Sequence, residues 1–377
     1  MPPFGRRPTD PVVDMSRSTA SASPPGAFSF TTLHFSEILV PQDGSQIQLR
    51  HIDKGRRVLG PIDPNGESSF QTLRTTILEA FKMQAEPNTT ARFLTHEGLR
   101  LKVIPVETTK GGLYVCRQVR QTPALTSIEG IANPIRVHLS TLGRTQQSGL
   151  IIVSGPPNSG KTTSVLAIVL HLTKASEDVA LIVESLPEVR LDGIIQGSQG
   201  RIVQVHAVAN PALYDDYLRS LLTLSPRFAA VGSITSALDA RLALDLAMAG
   251  VLVMTTINAN DIPGAIGSFI NRATSSIGAE AARDALALTL RGVMHQTFGD
   301  KDSSADPNMR KLNVTPLFLP GPSGYPAMMR KIKDDRIQAL VTDITHQDTR
   351  VRNDQSPLED RELSGPDILS VPSPPTV

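Results

Sequence analysis

The chain carries 377 residues, room for two domains at roughly 100 to 200 residues each. Its 37 basic and 36 acidic side chains leave a formal charge of +1, which argues against a polyanion binder held by bulk charge. The single Cys116 excludes an internal disulfide framework and a multi-cysteine zinc module, so a cytoplasmic address is the simplest fit.

Apolar residues make up 40% of the chain and aromatics only 4%, so the cores must be built from Leu, Ile, Val and Ala. No segment reaches the ~18 apolar residues that a membrane span needs. The most apolar stretch, Leu242 to Ile257, is interrupted by Asp245 and Gly250. The first residues are basic without an apolar run behind them, which does not read as a secretory signal. The expectation is a chain without direct membrane insertion, attached to a membrane complex only through partners.

Six of the 29 prolines fall in the first 25 residues, and residues 1 to about 26 read as a disordered tail. Residues 27 to about 140 contain the strand-like runs 47–52, 99–106 and 112–119 and a helical period over 70–84. This is a small α+β domain. From about 147 to 340, apolar strands (149–154, 179–185, 201–207, 228–234, 251–257) alternate with helical patterns (164–175, 211–224, 239–249, 278–298). That alternation predicts an α/β domain with a parallel sheet covered on both faces. Residues from about 346 to 377 turn polar and charged and read as a second tail.

The strongest motif is GPPNSGKT, Gly155 to Thr162, which matches G-x-x-x-x-G-K-[ST] at every fixed position. It follows a strand-like run and opens a helical one, as phosphate-binding loops do. Glycines let successive backbone N–H groups turn inward, and a helix N-terminus adds its positive end. The loop residues Gly155, Pro156, Pro157, Asn158, Ser159, Gly160, Lys161, Thr162 and Thr163 are therefore the candidate nucleotide contacts. Lys161 would reach the β- and γ-phosphates, and the Thr162 hydroxyl would ligate Mg²⁺.

A phosphate-loop motor also needs a carboxylate on a neighbouring strand to orient the attacking water. Glu184 ends the next strand in sequence and is the candidate catalytic residue beside Lys161. The strand-like run 228–236 offers only Ser233, Thr235 and Ser236 where a second acid is expected.

Together these segments resemble the secretion and pilus ATPase family, the PilT-, PilB- and GspE-like motors, from about residue 90 to about 320. The family's acidic box appears as VESLPE, with Glu184 and Glu188 retained and Ser185 in the place of an aspartate. The run before Walker B reads LRSLLTLSPR, where Arg219 and Pro226 match but Thr223 and Arg227 replace an arginine and an aspartate. Walker B is GSITS: Gly232 stays and Ser233 replaces the glutamate. The His box is TINAND, keeping Thr256, Asn260 and Asp261, with Asn258 for the histidine. Gln296 sits in the late helical pattern where the family tends to carry glutamine.

The resemblance implies a RecA-like P-loop NTPase core behind a smaller PAS-like N-terminal domain, with ATP and Mg²⁺ as ligands. It also implies a hexameric ring working with inner-membrane components of a secretion or pilus machine. Arg117 would then be a nucleotide-contacting arginine of the N-terminal domain. The cysteine-rich zinc insert of the assembly and type II branch is missing, which moves the resemblance toward retraction-like, conjugation or type IVB secretion ATPases.

Three readings follow. The first is an ATP-dependent motor subunit. The second is a nucleotide-binding structural subunit with little turnover, because Ser233 carries no charge and Asn258 cannot become cationic. The third is a RecA-type motor on nucleic acid, resting on Arg50, Lys54, Arg56 and Arg57; a solvated turn explains those residues more simply.

Overall fold

The computed structural model describes residues 35, 37–53, 56–62, 64–82, 91–145, 147–207, 210–299, 311–319 and 326–358. The predicted tail over 1–26 lies outside them. Two sheets organise the chain.

The first sheet uses β1 (Glu37–Pro41), β2 (Gln48–Asp53), β3 (Arg56–Pro61), β4 (Arg92–His96), β5 (Leu99–Thr108) and β6 (Gly111–Gln118). Their order is β3-β2-β1-β6-β5-β4, and every pairing is antiparallel. Alternation in β5 buries Leu99, Leu101 and Val103 on one face. Helix α1 (Glu67–Lys82) covers that face with Phe70, Leu73, Ile77 and Phe81, one side of a 3.6-residue period. Cys116 is packed there too, and burial pushes its thiol up to about 12, so it behaves as a small apolar group.

The second sheet has the order β14-β13-β7-β12-β11-β8-β10-β9. Its strands are β7 (Gly149–Gly155), β8 (Val179–Glu184), β9 (Gly193–Ile194), β10 (Arg201–His206), β11 (Phe228–Ser233), β12 (Leu252–Asn258), β13 (Leu290–Gly299) and β14 (Lys311–Phe318). The inner strands from β13 to β10 run parallel, and the edges β14 and β9 are antiparallel. Period-two alternation divides two cores. Leu150, Ile152, Leu181 and Val183 meet α5 (Ala237–Met248), α6 (Ile262–Ile277) and α7 (Ala279–Thr289) on one face. Ile151, Val153, Ala180 and Ile182 meet α2 (Asn133–Arg144) and α3 (Lys161–Ser176) on the other. Such a strand needs no polar face, which is why the runs 149–154 and 179–185 read as unbroken apolar segments.

Two expectations change. The helical pattern over 278–298 is not one helix: α7 stops at Thr289, and Leu290 turns to an extended φ of −61° and ψ of 125°. Leu290 to Gly299 then forms β13, paired in parallel with β7. The Ala-rich period simply runs into a strand whose residues are buried on both faces, so no polar break marks the change. At the other end, the expected tail from 346 begins too early. Helices α8 (Pro326–Lys333) and α9 (Val341–Arg352) occupy this region, and Gln347, Val351 and Leu358 are buried. A polar helix with two buried residues, followed by a buried Leu358, looks like a tail to composition. Among the described residues, no helix is long and apolar enough to cross a membrane.

Candidate nucleotide site

The parallel register puts the ends of four neighbouring strands on one edge of the second sheet. Asn258 of β12 aligns with Gly155 of β7, Ser233 of β11 with Thr256 of β12, and Val231 of β11 with Val183 of β8, one residue before Glu184. Glu184, Ser233, Asn258 and the phosphate loop are thus collected where open α/β sheets bind ligands, outside the carboxyl ends of the strands.

Buried strand β7 delivers the chain to Gly155, whose φ is +149°. A Cβ there would collide with the Gln296 carbonyl, so the close approach of loop and β13 requires glycine. Asn158 (φ +62°) and Gly160 (φ +83°) are also left-handed, and they curl the loop into the first turn of α3. Asparagine is among the few side chains that tolerate this conformation. The first N–H groups of a helix have no intrahelical acceptor, so α3 presents donors at the loop.

Lys161 is buried within the loop, and its ammonium donates to the Pro156 carbonyl at 2.7 Å and to Ser159 Oγ at 3.5 Å. Burial pushes its pKa down. Thr162 and Thr163 are exposed on the first turn of α3. An exposed hydroxyl in that position fits Mg²⁺, which takes few protein ligands and keeps phosphate oxygens and waters for the remainder.

Glu184 is 8% exposed at the end of β8 and accepts a hydrogen bond from Gln204 Nε2 at 3.1 Å. Desolvation raises its pKa, Gln204 pulls it back, Glu188 raises it and Lys102 lowers it. Glu188, in the loop after β8, is held in turn by Lys102 of β5 at 2.6 Å, a bond from the first sheet to that loop. Ser233 is exposed at the end of β11, where the ladder shifts register between Val231 and Ser233. Asn258 is exposed beside Gly155.

The remaining expected residues divide. Arg117 pairs with Glu37 at 2.9 Å, and Glu37 accepts from the Asn158 side chain at 3.3 Å, so Arg117 does reach the neighbourhood of the loop. Gln296, on β13 rather than a helix, is fully buried and donates to Ser164 of α3 at 2.7 Å. Asp261 caps α6 through Gly264 N–H at 2.6 Å. Arg219 lies exposed beside Asp216, and Arg227 stacks on Phe228 and reaches Asp178 at 3.7 Å, both away from the loop contacts just described. Arg50 of the suspected basic patch is paired with Glu37 at 2.6 Å. Lys54 and the side chains of Arg56 and Arg57 lie outside the described residues.

Sequence reasoning missed Glu37, Lys102 and His295. His295 of β13 meets Ser154 Oγ at 3.0 Å; burial lowers its pKa, Asp261 raises it and Lys161 lowers it. Its only signal in the sequence is its place next to Gln296.

Known proteins with this arrangement point one way. The family described as "Type II/IV secretion system protein" matches residues 89–326. The type II secretion system protein HxcR of Pseudomonas aeruginosa is 27% identical over 209 residues, covering 52% of this chain and 42% of that protein. The chain therefore spans well under half the length of the curated relatives it matches first. Among solved structures, the ATPase DotB of Legionella pneumophila superposes with a TM-score of 0.58 at 17% identity, covering 87% of this chain and 90% of DotB. The pilus retraction motor PilT with bound ADP gives 0.55 at 17% identity, covering 82% and 84%. The shared fold is a RecA-like P-loop core with an N-terminal domain. The matched region takes in most of the described residues, from the second half of the first sheet through the last strand of the second, and the chain belongs to the type II/IV secretion system protein family.

Proposed function

We propose that the chain is an ATP-binding motor subunit of a pilus, type IV secretion or conjugation machine, with slow turnover. One observation carries this: Lys161 is buried inside a left-handed loop at the head of α3, on the same sheet edge as Glu184. The backbone of Gly155 to Thr163 would hold the phosphates, and Lys161 would exchange its bond to Pro156 for the β- and γ-phosphates. Thr162 would hold Mg²⁺, which neutralises phosphate charge when bound. Glu184, ionised, would accept a hydrogen bond from the attacking water and orient it. Arg117 would add a positive charge from the N-terminal sheet. The ADP bound to PilT and the likeness to the ATPase DotB support the choice of nucleotide.

The slow turnover rests on Ser233. The loop that bears affinity is complete, whereas the end of β11 supplies a neutral hydroxyl where the family carries a glutamate. Losing a group that acts mainly in the transition state lowers turnover rather than affinity. A nucleotide-binding structural subunit is the same reading taken to its limit, with ATP setting the geometry of a ring. Steady-state hydrolysis measured beside nucleotide affinity separates the two: micromolar binding with measurable turnover supports the motor, and binding without turnover supports the structural subunit. Absence of nucleotide binding sinks both.

The family's architecture also supports a cytoplasmic hexameric ring, held at the inner membrane by partners, with the nucleotide near subunit boundaries. Mg-ATP should then favour a hexamer over smaller species in mass measurements at matched protein concentration. A monomer under both conditions would remove the ring.

A further inference from the structure

Glu37 stands where the two sheets meet the phosphate loop. It lies on β1, outside the segment that matches the family, and its side chain is 5% exposed. Three donors converge on it: Arg50 of β2 at 2.6 Å, Arg117 of β6 at 2.9 Å and 3.1 Å, and Asn158 of the loop at 3.3 Å. The antiparallel register explains the convergence, since Glu37 faces Arg50 directly and Ile38 faces Cys116, next to Arg117. A carboxylate so deeply buried needs charged partners, and here two arginines give the group a net positive charge. Both arginines are about two-fifths exposed, at 36% and 41%, so their outer edges remain open to a ligand.

We propose that Glu37 is a positioning residue for nucleotide: it aims Arg50 and Arg117 toward the phosphate loop and, through Asn158, makes the N-terminal sheet respond to what the loop holds. The proposal rests on the nucleotide reading. Asn158 is the key to it, because its left-handed backbone belongs to the loop while its side chain belongs to the Glu37 cluster. Polyphosphate entering the loop must shift or tighten that backbone. The shift passes through Glu37 to β1, and the arginines anchored on Glu37 move with it.

The test uses the full chain, Mg-ATP and a non-hydrolysable analogue, with two readouts: nucleotide affinity and backbone amide exchange of β1, β2 and β6. In the native chain, nucleotide should slow exchange in these strands. Glu37→Gln should weaken affinity by about tenfold, the scale of a lost charged hydrogen bond, and should abolish the exchange response even at saturating nucleotide. Glu37→Asp, which keeps the charge, should recover affinity to within about threefold and restore part of the response. Asn158→Gly, which removes the side-chain amide while tolerating the left-handed backbone, should also uncouple the strands, and combining it with Glu37→Gln should add nothing further. If Glu37→Gln fails to fold, Asn158→Gly decides, since Asn158 is exposed. Persistence of the exchange response in a saturated Asn158→Gly or Glu37→Gln protein would overturn the proposal. Lys161→Ala separates the two levels. Unchanged binding in Lys161→Ala removes the nucleotide reading itself, while lost binding there with native behaviour in Glu37→Gln removes only the positioning role.

Discussion

Two strand ends on one edge of the second sheet differ in what they carry. The end of β7 has the geometry proposed for phosphate binding: the close approach at Gly155, the left-handed Asn158 and Gly160, and Lys161 buried at the head of α3. Two strands away, β11 ends in an exposed Ser233, and between them β12 ends in an exposed Asn258. On the proposed reading, the first end would act on the ground state, through contacts to phosphates already present in bound nucleotide. The second would be the place to act on the transition state, where charge develops on the attacking water and the leaving oxygens. The difference, on that reading, would let affinity and turnover be carried by separable parts of one sheet edge.

The sharpest way to break this comparison is at Glu184, the carboxylate that remains. Glu184→Gln keeps the shape and the Gln204 contact but removes the charge, so turnover should fall by about 10² to 10⁴-fold with affinity nearly unchanged. Equal turnover in native and variant chains would place the water-orienting group elsewhere. Next in size, Lys161→Ala should weaken Mg-ATP binding by roughly 10² to 10³-fold, the scale of several kcal/mol for a charged contact in a sheltered site. Isothermal titration on a protein with native circular dichroism checks it.

Ser233→Glu tests the eroded end from the other direction. Ser233 is exposed, so the longer side chain has room, and turnover should rise by about tenfold or more with little change in affinity. A native chain already turning over near ~1 per second, with no gain from the substitution, would show that β11 needs no acid. The finest effect concerns pH. Burial raises the pKa of the Glu184 carboxyl, and only its ionised form carries the charge that polarises the attacking water, so turnover should be lost on acidification at a pH above that of an ordinary glutamate. Lys102 counteracts that rise, so Lys102→Ala should move the acid limb further upward, and Glu188→Gln should move it down. A pH–rate profile unmoved by either would detach the acid limb from Glu184.

The sequence was legible where chemistry and local structure coincide. The phosphate loop could be read because glycine, lysine and threonine at fixed spacing are flanked by a strand and a helix, all within a few residues. The parallel sheet could be read because strands buried on both faces are continuously apolar. The Glu37 cluster could not be read, because it joins residues 37, 50, 117 and 158 through antiparallel register and a contact from the first sheet to the phosphate loop. No local period records such a meeting. β13 escaped for the opposite reason: Leu290 to Met294 are buried throughout, so helix and strand look alike, and only the neighbouring β7 decides between them.

The last helix has a consequence for the molecule's solubility. β14 closes one side of the second sheet, and an open strand edge of that kind is a template for another chain. The side-chain amide of Gln347 on α9 meets it as a further strand would: Phe318 N–H donates to Gln347 Oε1 at 2.7 Å, and Gln347 Nε2 donates to the Phe318 carbonyl at 2.8 Å. One glutamine thus imitates a peptide group and occupies the backbone pairing position at Phe318, the end of that edge. A chain ending before Val341 should keep the phosphate loop yet expose this edge, and light scattering on warming should show it aggregating earlier than the longer chain.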